Sequence, residues 1–171
     1  MNTGIVDSLH AAGAVSNLDR GFAHLMARLA GSRDGALELA AALVSRASAE
    51  GNICLDLAGL AGEAAAAGPS APRCPALEPW VSALRRSAVV GAPGDWRPLI
   101  LHGTRLYLYR HWEAEQGLVR FLQERSQGPV PAVDVGLLRE GILRLFPGRD
   151  GETDWQRVAA AVAVLQPFCV I

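Results

Sequence analysis

The chain contains no lysine. Its sixteen basic side chains are all arginine, and they are balanced by seventeen acidic residues. A phosphate loop of the GxxxxGK[ST] type needs a lysine that reaches the nucleotide phosphates, so the sequence excludes such a loop. Schiff-base chemistry and a lysine general base are excluded for the same reason. The net charge of −1 also gives no overall electrostatic attraction to nucleic acid.

Cysteine is scarce as well. The three cysteines, Cys54, Cys74 and Cys169, form no CxxC motif and no cluster with histidine. This spacing predicts neither a zinc site nor a disulfide framework, and we expect free, buried thiols. No GxSxG or HExxH motif is present, so the sequence predicts no catalytic residue, no metal site and no enzymatic activity of this segment by itself.

Long apolar runs are missing too, since none approaches the roughly 20 residues that cross a bilayer. The first residues lack the basic and apolar blocks of a secretory signal. We therefore expect no membrane contact and a cytoplasmic location. What is abundant is alanine, and half of the 171 residues are apolar. This composition favours a single, mainly helical domain.

Apolar residues at helical spacing recur along most of the chain. Ser16 or Asn17 is expected to cap the second helix. The apolar face of that helix is expected to consist of Leu18, Phe22, Leu25, Met26 and Leu29. A helix is also expected over residues 57–67, after a short alternating strand over residues 52–57.

Residues 98–109 predict a β-hairpin with its turn at Gly103 and Thr104. Two strands alone are marginally stable in water, so this hairpin must lie on helices or pair with the earlier strand. The expected fold class is therefore mainly α, with a small antiparallel β-sheet built around the hairpin.

The last residues predict a helix that leads into a strand. Thr153 or Asp154 caps this helix, and Pro167 ends it. Its apolar stripe, which we expect to be buried, consists of Trp155, Val158, Val162 and Leu165. Phe168–Ile171 then predicts a short apolar strand. A helix that feeds a buried strand is typical of the start of a nucleotide-binding α/β core.

Four blocks in this order resemble the RecD family of superfamily 1 DNA helicases, the alpha subunits of exodeoxyribonuclease V. They are the Ala-rich helix with Gly51–Leu57, the hairpin with its following helix over residues 98–113, Leu145–Pro147, and the Trp155–Gln156 pair with its Ala/Val-rich helix and strand. In that family the last strand continues into Gly-Gly-Pro-Gly-Thr-Gly-Lys-Thr, which is absent here. The resemblance therefore implies an N-terminal domain that stops before the phosphate loop.

The resemblance implies an orthogonal helical bundle of winged-helix-like topology over residues 1–128. Residues 129–171 would then hold a linker helix and the first helix and strand of the ATPase core. In the RecD family this domain docks the subunit onto RecC in the RecB-containing complex, which processes double-strand DNA ends. ATP, magnesium and DNA would be bound by the 5′→3′ helicase core downstream. The apolar end at Phe168–Ile171 predicts self-association of the chain alone.

Gln156 has two interpretations. The spacing Thr153-x-x-Gln156 fits a capping box, in which the glutamine amide returns to the backbone of the cap. The family resemblance implies instead that Gln156 contacts adenine in the full-length protein, since an amide both donates and accepts. In the present chain the capping interpretation is preferred, because an adenine site without phosphate contacts has little affinity.

The hairpin carries the candidate docking residues. Arg105, Tyr107 and Tyr109 share one face of the second strand, and Trp112 follows in the next helix. An aromatic and arginine face of this kind fits a protein-docking surface, and docking is preferred over base stacking because the net charge is near neutral. The alternatives left open are a stand-alone winged-helix-like nucleic-acid binder, whose candidate recognition helix has only Arg46, and a small enzyme without a recognised motif.

Overall fold

The computed structural model describes residues 4–32, 34–68, 71–129, 132–147 and 153–171. The helices are α1 (Ile5–Ala11), α2 (Asn17–Ala30), α3 (Gly35–Ala49), α4 (Leu57–Leu60), α5 (Leu77–Arg85), α6 (Tyr109–Ser126), α7 (Val135–Leu145) and α8 (Trp155–Leu165). The strands are β1 (Cys54–Asp56), β2 (Val90–Gly91), β3 (Leu99–His102) and β4 (Arg105–Leu108). The expected fold class, mainly α with a small sheet, is confirmed. None of the helices in these ranges is long and apolar enough to cross a membrane.

The chain divides into two compact units, Met1–Ala114 and Glu115–Ile171. The functional division into residues 1–128 and 129–171 stays a prediction. At the centre of the first unit lies α3, in which every residue from Leu37 to Val44 is buried. The indole N–H of Trp80 on α5 donates a 3.0 Å hydrogen bond to the carbonyl oxygen of Ala36, which ties α5 to the start of α3.

The sheet has the strand order β1-β4-β3-β2. β4 pairs antiparallel with both β1 and β3, with Leu106 opposite Leu55 and Leu101. The predicted hairpin is confirmed, and Gly103 in its two-residue turn has φ 61°, a conformation that favours glycine. The sheet is mixed, however, because the two-residue strand β2 pairs parallel with β3 at the edge.

The structure confirms the core contacts of Met26 and Phe22 on α2 but places the predicted leucines outside. Met26 is buried as expected, but its buried neighbours on the helix are Asp19, Ala23 and Ala27. The predicted core residues Leu18, Leu25 and Leu29 are exposed, and Phe22 is half-buried. The physical reason is that α2 packs along the alanine-rich α3, and the small Ala23 and Ala27 side chains let the two helices approach closely.

The helix expected over residues 57–67 is wrong beyond Leu60. The chain turns at Gly62, which has φ 76°. The backbone then pairs with a later segment, since the Cys74 N–H donates to the Glu63 carbonyl and the Ala65 N–H donates to the Pro72 carbonyl, each at 2.8 Å. This pairing satisfies the backbone groups that a longer helix would have used.

The predicted free cysteines are confirmed as free, but only Cys74 is buried, whereas Cys54 and Cys169 are half-buried. Burial raises the pKa of the Cys74 thiol above its ordinary value. The thiol therefore stays protonated at neutral pH and is a poor nucleophile.

The second unit pairs α7 with α8 along a groove. No residue of either helix is buried, and the predicted core stripe of α8 lies exposed, with Trp155 exposed to 74%. The strand predicted at Phe168–Ile171 is wrong, because no strand among the described residues pairs with this segment. A strand needs a neighbour for its backbone hydrogen bonds, and an apolar segment alone does not supply one.

Candidate functional site

The candidate site lies where the hairpin leads into α6. The two strands of the hairpin alternate their side chains between the two faces of the sheet. Leu99, Leu101 and Leu106 join the main core of the first unit. Ile100 and Tyr107 point to the opposite face and form a second, smaller core with Trp112 from the first turn of α6.

Two of the predicted docking residues are buried in this smaller core. Tyr107 is exposed to 2% and Trp112 to 7%. Their rings meet edge to face, with centroids 5.1 Å apart, and Trp112 also contacts His102 at 5.2 Å. The expectation of an open aromatic face is therefore wrong for Tyr107 and Trp112, because α6 starts directly after β4 and its first turn covers that face of the sheet.

The other two predicted docking residues are accessible. Arg105 is exposed at the turn end of the hairpin, and Tyr109 is half-buried at the start of α6. The Tyr109 hydroxyl donates a 3.3 Å hydrogen bond to the Glu113 carboxylate. Removal from solvent, and then the negative charge of Glu113, raise the pKa of Tyr109 above its ordinary value. The phenol therefore stays neutral at physiological pH.

The residue that sequence reasoning missed is Trp96. Its side chain is 85% exposed, and its ring packs against Tyr109 with the centroids 4.8 Å apart and the planes tilted by 56°. The sequence did carry a signal for it, since a tryptophan in the turn-rich segment Ala92–Pro98 has no regular element to bury it. We call Trp96 and Tyr109, together with the exposed Arg97, the aromatic surface.

The loop that carries Trp96 is held tightly. The Asp95 carboxylate accepts a 2.9 Å hydrogen bond from the Ala92 N–H, and the Asp95 N–H donates to the Ala92 carbonyl. A Cβ atom on Gly91 would lie 2.6 Å from the Asp95 Cβ and 2.8 Å from the Arg97 Cγ. Gly91 thus lets the loop close directly on the sheet edge, so that Trp96 is presented from a fixed support.

The start of α6 is fixed to α3 by a polar cluster. The Ser48 hydroxyl lies 2.8 Å from His111 Nε2 and accepts a 3.1 Å hydrogen bond from the Arg110 guanidinium. Both partners of Ser48 come from the first turn of α6, so the serine acts as a clamp between the two helices. This clamp positions Tyr109, the neighbour of Arg110, against the Trp96 loop.

Gln156 lies away from these residues in sequence, at the start of α8. The cap of α8 is Asp154, whose carboxylate accepts hydrogen bonds from the backbone N–H groups of Gln156 and Arg157 at 3.0 and 3.2 Å. The predicted capping box between Thr153 and Gln156 is therefore wrong, because the helix begins one residue later. The Gln156 side chain is exposed, and its contact with adenine stays a prediction.

The fold is a mainly helical domain with a small sheet that presents an aromatic surface. Residues 11–107 match the family model described as the N-terminal domain of the RecBCD enzyme subunit RecD. Because this match covers more than half of the chain, the chain belongs to the RecD N-terminal domain family. The matched region runs from the end of α1 to β4 and includes Trp96 and Arg105. The family predicted from the sequence blocks is confirmed.

Individual RecD proteins are similar over longer stretches. The chain is 35% identical over 147 residues to the RecBCD enzyme subunit RecD of Mycolicibacterium smegmatis, which covers 84% of the chain and 23% of that protein. The chain is 31% identical over 175 residues to the RecBCD enzyme subunit RecD of Mycobacterium tuberculosis, a match that covers 99% of the chain and 27% of that protein. The chain thus spans about a quarter of the length of these relatives.

Proposed function

We propose that this chain is the partner-docking domain of a RecD-type helicase subunit, and that it attaches the subunit to RecC within a RecBCD complex. Family membership supports this proposal, and the relatives are themselves named as subunits of the RecBCD enzyme. The observation that carries it is Trp96, a large aromatic side chain that is 85% exposed on a tightly held loop.

An exposed tryptophan in this setting favours a role in binding. Tryptophan and tyrosine are enriched among the few interface residues that contribute most of the binding free energy. The Trp96 ring is already oriented by Tyr109 and by the closed loop at Gly91, so little conformational entropy is lost when a partner covers it. Arg97, and Arg105 at the other end of β4, supply charged groups of the kind found at interface rims.

The proposal extends to the complete subunit. It would be an ATP-dependent 5′→3′ DNA helicase of exodeoxyribonuclease V that acts in double-strand break processing and recombinational repair. The ATP, magnesium and DNA contacts would lie in the part of the relatives that this chain does not span. The exception would be Gln156 of this chain, which would contact adenine in the complete subunit. Action on chromosomal DNA in a bacterium would place the protein in the cytoplasm.

The alternative, a nucleic-acid-binding module, also has an observation in its favour. Exposed Trp96 and half-exposed Tyr109 lie beside Arg97, and aromatic rings next to arginines bind single-stranded nucleic acid. Asp95 and Glu113 border the same rings and would repel phosphates. Protein docking is therefore the preferred function. Titration with a single-stranded oligonucleotide tests the nucleic-acid alternative.

The test measures binding of the chain to purified RecC by isothermal titration calorimetry. Trp96→Ala is expected to weaken binding by about tenfold or more, which corresponds to about 1.4 kcal/mol. Trp155→Ala is the matched control, since Trp155 is also an exposed tryptophan but lies in the second unit. Wild-type chain that does not bind RecC, or a Trp96→Ala variant that binds as tightly as wild type, contradicts docking through this surface. Tight binding of a fluorescent single-stranded oligonucleotide that needs Trp96 would support the alternative.

A further inference from the structure

A second surface of the first unit lies on α2. Leu18 is exposed to 74%, Leu25 to 36% and Leu29 to 55%, and the half-buried Phe22 lies between the first two. Their spacings of four, three and four place them in one row along the helix. The row is about 16 Å long at the rise of an α-helix. We call these four residues the α2 ridge.

The orientation of α2 is fixed, so the ridge cannot turn inward. Asp19 is 3% exposed, and its carboxylate accepts hydrogen bonds from the backbone N–H and the hydroxyl of Ser16 at 2.8 and 2.7 Å. The Ser16 hydroxyl in turn accepts from the Asp19 N–H, which completes a capping box. Rotation of the helix to bury the ridge would break this cap and lift Ala23 and Ala27 off α3.

The charged side chains of α2 that flank the ridge are two arginines, Arg20 and Arg28. Asp19 is the only acidic residue of α2, and it faces the core. Arg20, His24 and Arg28 all lie along the outer flank of the helix. Arg20 and His24 lie 3.8 Å from Asp7 on α1, whereas Arg28 forms no ion pair within the described part of the chain. The ridge is thus bordered by positive charge that is only partly neutralised.

This charge pattern selects among the possible occupants. A second copy of the chain whose α2 packs antiparallel on this one across a two-fold axis would place the two arginine-bearing flanks on the same side, where their charges repel. Nucleic acid would find the arginines, but the single aromatic ring of the ridge, Phe22, is half-buried against the main core and offers little surface for base stacking. A protein segment with an apolar row bordered by carboxylates would pack its apolar side chains on the ridge and pair its carboxylates with the arginines of the flank.

We propose that the α2 ridge binds an amphipathic helix of a partner protein whose apolar stripe is bordered by Asp or Glu. The apolar stripe covers Leu18, Phe22, Leu25 and Leu29, and a carboxylate pairs with Arg28. The docked helix packs lengthwise along the exposed face of α2, apolar stripe against apolar row. None of the ridge residues belongs to the aromatic surface around Trp96, so the two surfaces are separate binding sites.

The test uses two fluorescein-labelled synthetic helices with the same leucine stripe, one bordered by Glu and the other by Lys, titrated against the whole chain by fluorescence anisotropy. The Glu peptide is expected to bind about tenfold more tightly than the Lys peptide at low salt, with the difference shrinking at high salt. The double substitution Leu25→Ser and Leu29→Ser should abolish binding of both peptides. Arg28→Glu should remove or reverse the preference for Glu.

Two matched variants keep the test specific. Ile53→Ser removes another exposed aliphatic side chain of the first unit, and Arg86→Glu reverses an exposed charge on the C-terminal cap of α5. Neither variant should change binding of the peptides. Arg28→Glu alters only an exposed side chain and should fold even if the double variant does not.

Failure of the Glu peptide to bind, or equal binding of the Glu and Lys peptides, would overturn the proposal. A concentration-dependent dimer in analytical ultracentrifugation that the double variant abolishes would instead assign the ridge to a second copy of the chain. These readouts do not involve RecC or Trp96, so they stand or fall separately from the proposed function.

Discussion

Two alanine-rich helices of this protein, α3 and α8, have similar composition and opposite surroundings. In α3, the residues from Leu37 to Val44 are all buried. In α8, a comparable row of alanines and valines has no buried residue, and Val162 and Val164 are exposed to 40% and 44%. The helices differ in their neighbours, since α3 contacts α1, α2, α5, β1 and β4, whereas α8 packs along α7.

The comparison shows that apolar content sets how much surface a helix is able to bury, and that its neighbours decide how much it does bury. Small side chains let α2 approach α3 closely, which buries alanines and leaves leucines of α2 outside. Nothing in the composition of α8 distinguishes it from such a central helix. The two helices should therefore respond differently to the same substitution.

The largest expected effect comes from truncating a leucine in α3. Leu39→Ala and Leu43→Ala each remove a side chain that is at most 1% exposed, and each should lower the free energy of unfolding by about 2–5 kcal/mol. Leu165→Ala in α8, where the side chain is 36% exposed, should cost less than about 1 kcal/mol. Urea denaturation followed by circular dichroism measures both. Equal losses would mean that α8 is as deeply packed in solution as α3.

A smaller effect is expected at the polar contact between α2 and α3. Burial acts to raise the pKa of Asp19, but the hydroxyls of Ser45 and Ser16, the Ser16 N–H and the charge of Arg46 outweigh it and lower the pKa below 3.8. The ionised carboxylate therefore stabilises the fold above the pKa of the unfolded state. Asp19→Asn should cost about 1–3 kcal/mol at neutral pH, as expected for a hydrogen-bonded charged group.

The downward shift of the Asp19 pKa determines how the stability of the fold depends on pH. The contribution of Asp19 is lost as the pH falls through its folded-state pKa, so the difference between wild type and Asp19→Asn should shrink below about pH 4. Urea denaturation of both proteins across the acid range measures the difference. A stability difference that stays constant down to about pH 2 would show that the carboxylate acts through packing and not through its charge.

Sequence patterns predicted the features that depend on neighbouring residues in the chain. The Ser16 cap, the hairpin turn at Gly103 and Thr104 and the start of α8 at one of two candidate caps all follow from local hydrogen bonding or backbone conformation. The four family blocks, taken together in their order along the chain, indicated the correct family. The caps and the turn depend only on neighbouring residues, and the family blocks depend only on their order along the chain. Neither kind of signal requires knowledge of the tertiary fold.

The errors arose where tertiary contacts decide between alternatives. Alternation in β4 correctly separated Tyr107 from Leu106, but it could not reveal that Trp112 covers the Tyr107 side. Periodicity gave α2 an apolar row, but the close packing of alanines on α3 selected a different side for burial. Trp96 was missed because a search for apolar stripes passes over single residues in turns.

The smallest expected effect compares the caps of the same two helices. The Asp34 carboxylate accepts a hydrogen bond from the Ala36 N–H at 2.9 Å, and the Asp154 carboxylate accepts from the Gln156 and Arg157 N–H groups at 3.0 and 3.2 Å, so each helix is capped by an aspartate. Replacement of either aspartate by alanine should cost its helix about 1 kcal/mol. Because α3 unfolds only with the first unit, Asp34→Ala should lower the global stability by that amount.

Loss of the Asp154 cap should destabilise α8 alone and not the whole protein. Since α8 has no buried residue, its opening is not coupled to a core, and Asp154→Ala should speed amide hydrogen exchange in α8 and leave the urea midpoint of the first unit unchanged. Hydrogen exchange by mass spectrometry distinguishes the two variants. If Asp154→Ala lowered the midpoint as much as Asp34→Ala, α8 would have to be coupled to a cooperative core, and the contrast between the two helices would fail.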